Sequence, residues 1–126
     1  MGWRAFGLPA ARGATVGYGP LGDPDANGVR LPEGFTARLL AKTGEPVTGS
    51  GYLWHGEPDG AATFGTSDGG WVLVSNSELN GTSGGVSSIR FGFGGQPVAA
   101  YRILAGTKWN CAGGATPWGT WLSCEE

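Results

Sequence analysis

Hydrophobic residues come along this chain in short pulses separated by turn formers, with no long helical stripe. Residues 61–64 and 71–75 are β-prone segments on either side of Ser67-Asp68-Gly69-Gly70, which predicts a hairpin. The plan repeats downstream, where residues 86–93 and 98–104 flank the turn Gly94-Gly95-Gln96-Pro97. Within 86–93, Val86, Ser88 and Arg90 alternate with Ile89, Phe91 and Phe93, so one side of that strand is apolar. Upstream, the apolar run at residues 35–41, ended by Thr43-Gly44, is read as a further strand. After Gly106 the pattern lapses into a loop over 107–117, and residues 118–124 read as the opening of another strand. Nowhere does the 3.6-residue period of an amphipathic helix emerge.

Four antiparallel strands in succession, a long loop and a new strand give the rhythm of one propeller blade and the start of the next. Residues 61–104 supply about one such unit, which commonly runs ~40–50 residues. The expected fold class is therefore all-β, a partial β-propeller of about one blade plus the beginning of a second. A small standalone β-sandwich is the other architecture, and it would be short of strands. Residues 1–30 read as an irregular Gly/Pro-rich segment, and residues 31–126 as the propeller part.

Composition sharpens this picture. Glycine (26) and proline (8) are abundant enough in 126 residues to raise the question of disorder. Hydrophobic residues at 40 %, aromatics at 11 % and charged residues at only 14 % answer it, since disordered chains show low hydrophobicity with high charge. The eight Lys and Arg are scattered and the net charge is −2, which argues against a nucleic-acid partner. No apolar run approaches the ~20 residues of a membrane span, so no membrane partner is expected. The start, MGWRAFGLPAARG, lacks the apolar core of ~7–15 residues that a signal peptide carries.

The candidate chemistry crowds into WNCAGGATPWGTWLSCEE, residues 109–126, which holds both cysteines. Their spacing, Cys111-x12-Cys124, fits no structural zinc pattern, because those take paired ligands from one tight turn. Two readings stay open: a disulfide across a loop, or Cys124 serving as metal ligand beside the acidic pair Glu125 and Glu126. In a strand, Cys124 and Glu126 share one face and Glu125 takes the other. A thiolate with carboxylates suggests a mixed site, since thiolates suit iron or zinc and carboxylates suit calcium or magnesium. Other residues read as structural. His55, the one histidine, sits in a turn-rich stretch as a surface or hydrogen-bonded loop residue. Trp118 and Trp121 read as packing wedges. Gly113-Gly114 reads as a turn, and Asp23 and Asp25 as turn residues. The SDGG and GFGG runs precede no helix, so neither is a phosphate cradle.

The block NCAGGATPWGTWLSCEE resembles the signature of the PhoX-type alkaline phosphatases, the family also labelled DUF839. GYGPLGDPDANGVRLPEGFTARLLAKTG, PDGAATF, GGWVLVSNSEL and GGVSSIRF are similar to segments that precede it in that family, so the likeness runs over residues 17–126. The resemblance implies a six-bladed β-propeller, exported to the periplasm or secreted, that hydrolyses phosphate monoesters at a cluster of iron and calcium. Carried over residue by residue, it makes Cys124 the first choice for an iron ligand. Glu126 and Glu125 become calcium or iron ligands, with Glu126 preferred on the strand-face argument. Asn110 would give a side-chain oxygen to a hard cation, and Glu78 would bind calcium or hold its loop. Cys111 would be a second thiol, buried and inert. SNSE stands before Leu79 where the family shows Asn-His-Glu, so no histidine precedes Glu78. Family members run to several hundred residues and are expected to be monomeric. The resemblance therefore implies an N-terminal fragment, inactive alone and open at its strand edges to self-association. A non-catalytic binding domain and a calcium-dependent lactonase- or esterase-like hydrolase are the alternatives. Indifference to iron and calcium would mark the first, and tolerance of Cys124→Ser the second.

Overall fold

A computed structural model describes residues 17–126; the N-terminal start read above lies outside them. Two compact units divide the chain, Met1–Arg38 and Leu39–Glu126, eight residues beyond the boundary read from composition. In the first, residues 17–38 form irregular chain around one antiparallel bridge, Leu21 to Pro32. Asp25 serves a turn, accepting the N–H groups of Asn27 (2.8 Å) and Val29 (2.9 Å) on its carboxylate. Those bonds hold its pKa below the usual carboxylate range. Tyr18 meets Phe35 edge to face at 5.1 Å.

The second unit carries six strands and, among the described residues, the chain has no helix. β1 (Pro58–Gly65), β2 (Trp71–Ser77), β3 (Gly84–Phe91) and β4 (Pro97–Thr107) form an antiparallel meander in the order β1-β2-β3-β4. β5 (Gly113–Ala115) and β6 (Trp121–Ser123) pair as a separate two-stranded sheet. This all-β arrangement, four strands in sequence and then two, is consistent with partial propeller blades.

Both predicted hairpins form. Thr66 N–H donates to Gly70 O at 2.9 Å across the first turn, and Gly92 N–H to Gln96 O at 3.0 Å across the second. Asp68 organises the first turn, accepting Thr66 Oγ1 at 2.5 Å and pairing with Arg90 from β3.

Three expectations need correction. Residues 35–41 form no strand: the unit boundary falls inside this run, and Leu40 and Ala41 instead pack against the core as irregular chain. The loop at 107–117 contains β5, because Gly113-Gly114 pairs with Leu122 and Ser123 and is not a turn. The last strand spans Trp121–Ser123 only; Trp118 lies in the β5–β6 turn, 77 % exposed.

The sheet is covered on both faces, which explains why β3 is buried along nearly its whole length. On one face Ile89 and Phe91 meet Val47 and Trp54, with Trp71 stacked on Phe91 at 4.9 Å. Val47 and Trp54 belong to a strap over residues 43–55, closed on itself by Val47 N–H to Tyr52 O (2.9 Å) and Trp54 N–H to Glu45 O (3.0 Å). Tyr52 Oη ties it to Ser87 of β3 at 2.7 Å. The opposite face buries Val74 and Val86. There a cavity of about 500 Å³ is lined by Phe64, Val72, Val74, Val86, Leu104 and Trp121. Phe93, expected on the apolar side of β3, lies beyond its end and is exposed.

Candidate metal centre

Asn76 joins the two sheets. It sits in β2 between Ser75 and Ser77, fully buried, where alternation aims it at the side opposite the strap. Its Nδ2 donates to Ala112 O at 2.8 Å, and its Oδ1 accepts Trp121 Nε1 and Ser123 Oγ, both at 3.0 Å. One amide thus satisfies groups on both strands of the β5–β6 hairpin. Asn110, also buried, continues the network, accepting Thr107 Oγ1 at 2.6 Å and donating to Ser123 Oγ at 2.9 Å. Trp121 is therefore the packing wedge it was read to be, with its indole N–H satisfied.

This docking brings three chain segments to one place. Glu78 comes directly after β2, and its N–H donates to Glu57 O at 2.9 Å. Cys111 precedes β5, and its carbonyl accepts Gly60 N–H of β1 at 3.0 Å. Glu126 lies beyond β6. One ligand atom from each of Glu78, Cys111 and Glu126 lies within 4.8 Å of the others. Glu78 and Glu126 are exposed and Cys111 is half-buried, so the group is open to solvent at its carboxylates.

Electrostatically the group is under tension. Burial, followed by the Asp59 and Glu126 carboxylates, pushes the Glu78 pKa above the usual carboxylate range. Burial likewise pushes the Cys111 thiol up, and a hydrogen bond to the Glu126 carboxylate adds to it. A carboxylate raised by its acidic neighbours favours either a proton or a cation beside it. The donor set, one thiol sulfur and two carboxylates, suits a metal of mixed preference, and the three residues fit such an ion.

The remaining residues singled out in the sequence are placed elsewhere. Cys124 is exposed and is not in the group; its N–H donates to Ala112 O at 3.0 Å, which sets Ala112 opposite Cys124. Both cysteines are free, Cys111 half-buried and Cys124 exposed, so the disulfide reading is not what the structure shows. Glu125 accepts Lys108 N–H at 2.6 Å and so holds the loop before Asn110. With the strand ending at Ser123, alternation does not continue through 124–126, so Glu126 and Cys124 are not aligned as a strand would align them. Asn110 already commits its amide to Thr107 and Ser123. Sequence reading missed Asn76, Gly60 and Asp59. The first had a signal, a polar amide inside the apolar alternation WVLVSNS.

Residues 68–126 match the family model alkaline phosphatase PhoX. The PhoX likeness is shown over this stretch. It includes β2 through β6 and every residue of the Glu78–Cys111–Glu126 group. No curated protein and no solved structure matches the chain. The match supports a phosphatase family, and PhoX proteins are metalloenzymes, in keeping with the acidic and thiol group found here.

Proposed function

We propose that this protein contributes to phosphate-monoester hydrolysis by holding metal at Glu78, Cys111 and Glu126. The observation that carries the proposal is the convergence of these three side chains, from three separate segments, inside the stretch that matches PhoX. Iron on the Cys111 sulfur and calcium or iron on the carboxylates would supply Lewis-acid charge to the oxygens of a phosphate ester. The chain's own residues set the geometry. Asn76 fixes the hairpin, Gly60 admits the Cys111 backbone, and Glu125 ties down the loop at Lys108. Glu126, on the exposed side, leaves the group open to a small anionic ester. In this reading Cys111 takes the thiolate role that the resemblance gave to Cys124.

Metal analysis after loading with iron and calcium tests the centre, and p-nitrophenyl phosphate turnover at pH about 8–10 tests the reaction, because a thiolate ligand needs a deprotonated cysteine. Bound iron that is lost in Cys111→Ser and kept in Cys124→Ser supports the assignment. Turnover by the loaded chain places the reaction here as well. Metal binding without turnover assigns the remaining catalytic groups to residues outside the trio. A chain that takes up neither metal overturns the proposal.

A further inference from the structure

His55 lies at the far end of the strap, on the opposite face of β2 from the metal-ligand group. It is 7 % exposed, with its ring stacked on Trp54 at 4.3 Å between centroids. Its Nε2 meets Ser75 Oγ at 3.4 Å, while Nδ1 is buried with no hydrogen-bond partner. A buried polar atom left without a partner is uncommon and calls for a physical reason. The neutral ring tolerates this better than the charged one, since an N–H at Nδ1 would have nothing to donate to.

The backbone from His55 to Glu57 gives that imbalance a consequence, because its three consecutive carbonyls are each held. His55 O accepts Thr43 Oγ1 at 3.0 Å, Gly56 O accepts Ser77 Oγ at 3.0 Å, and Glu57 O accepts the N–H of Glu78 at 2.9 Å. Glu57 itself is held at φ 44°, in the left-handed region that a residue with a Cβ seldom occupies. Among the described residues, the charged group acting on the imidazole from a packed element is Arg102 of β4, which opposes a second positive charge. The carbonyl of Asn76 in β2 acts the other way.

We propose that His55 is an acid-sensitive latch: neutral, it seats residues 55–57 against β2 and fixes Glu78; protonated, it leaves its seat and releases the Glu57–Glu78 bond. Burial, the largest influence, holds the imidazole pKa down at about 4, so the latch is closed at neutral pH and opens in acid. The regulatory consequence, a looser Glu78 in the metal-ligand group once the latch opens, rests on the metal centre proposed above. The latch itself does not, and it is tested on the metal-free chain.

The experiment tracks the His55 ring resonances and the hydrogen-exchange protection of the Glu78 amide from pH 7 to 4, with the β3 amides as internal reference. The expected result is an imidazole midpoint near 4 and a coincident fall of at least about tenfold in Glu78 protection while β3 stays protected. His55→Phe, which keeps a ring on Trp54 and cannot titrate, should hold Glu78 protection flat over the same range. An imidazole that titrates near 6.5 with Glu78 protection unchanged overturns the latch, as does the same acid loss in His55→Phe. Should that variant fail to fold, coincidence of the two transitions in the native chain decides alone, and separate midpoints overturn it.

Discussion

The backbone N–H of Gly60 donates to the carbonyl of Cys111 at 3.0 Å, and a Cβ at Gly60 would stand 2.6 Å from that same oxygen. No side chain fits between β1 and the strand that delivers the thiol. Gly60→Ala must push Cys111 away from Glu78 or open the β1 bulge between Pro58 and Ala61. The expected outcome is a loss of about 1–3 kcal/mol in thermal or denaturant unfolding. Iron affinity should fall at least about tenfold, the scale on which misplacing a ligand's support acts. Equal affinity in Gly60→Ala and native protein would show that the contact does not position Cys111.

Asn76 can be tested separately. Asn76→Ala leaves Trp121 Nε1 without a partner and takes from Ala112 O one of its two donors, the Cys124 N–H remaining, so a loss of about 1–3 kcal/mol is expected. The damage should be local. The β1–β4 meander has its own core of Ile89, Phe91, Val47 and Trp54, a cluster that does not include Asn76. Hydrogen exchange should therefore rise across β5 and β6 while β3 amides keep their protection. Uniform loss through all six strands would mean that the hairpin and the meander are one cooperative unit.

The four-stranded meander was legible in the sequence because its signals are local. Period-two apolar segments around Ser67-Asp68-Gly69-Gly70 and Gly94-Gly95-Gln96-Pro97 specify both strands and turns. β5 was not legible: two of its three residues are glycines, which carry no apolar alternation and read as a turn. The chemical types at the site were legible, a cysteine with carboxylates, but the choice of cysteine was not. That choice depends on the register of the β5–β6 hairpin, set by Asn76 from more than thirty residues away. His55 was expected in a loop, and so it is. Its near-complete burial comes from the strap folding over β2, a tertiary event with no local signature.

The two cysteines should differ in chemistry as they do in place. Cys124 is exposed, whereas Cys111 is half-buried and held protonated by burial and by Glu126. A thiol reagent at pH about 8 should modify Cys124 several-fold faster, because the thiolate is the reacting form. Addition of iron should then protect Cys111 and leave Cys124 reactive. The reverse order of protection would return the ligand role to Cys124.

Without metal, the site should weaken the fold. The Glu78 pKa is raised in the folded protein by burial, Asp59 and Glu126, so the folded state takes up that proton more readily than the unfolded chain does. Its contribution to stability is present below the ordinary carboxylate range and is lost as pH rises through the raised value. At neutral pH the ionised side chain is therefore a burden. Glu78→Gln should raise the midpoint of thermal unfolding of the metal-free protein and flatten its dependence on pH just above the carboxylate range. His55 acts with the opposite sign. Its pKa is depressed to about 4, so its contribution is present above about 6.5 and is lost as pH falls towards 4. Acidification from neutrality thus relieves one residue and strains the other, so the two contributions oppose each other where their ranges overlap. Removing Glu78's charge should leave only the acid-side decline, and His55→Phe only the rise. The same Glu78→Gln change should cost at least about tenfold in metal affinity, ligand removal acting at least as strongly as loss of a ligand's support. A variant that neither gains stability without metal nor loses affinity for it would remove Glu78 from the site.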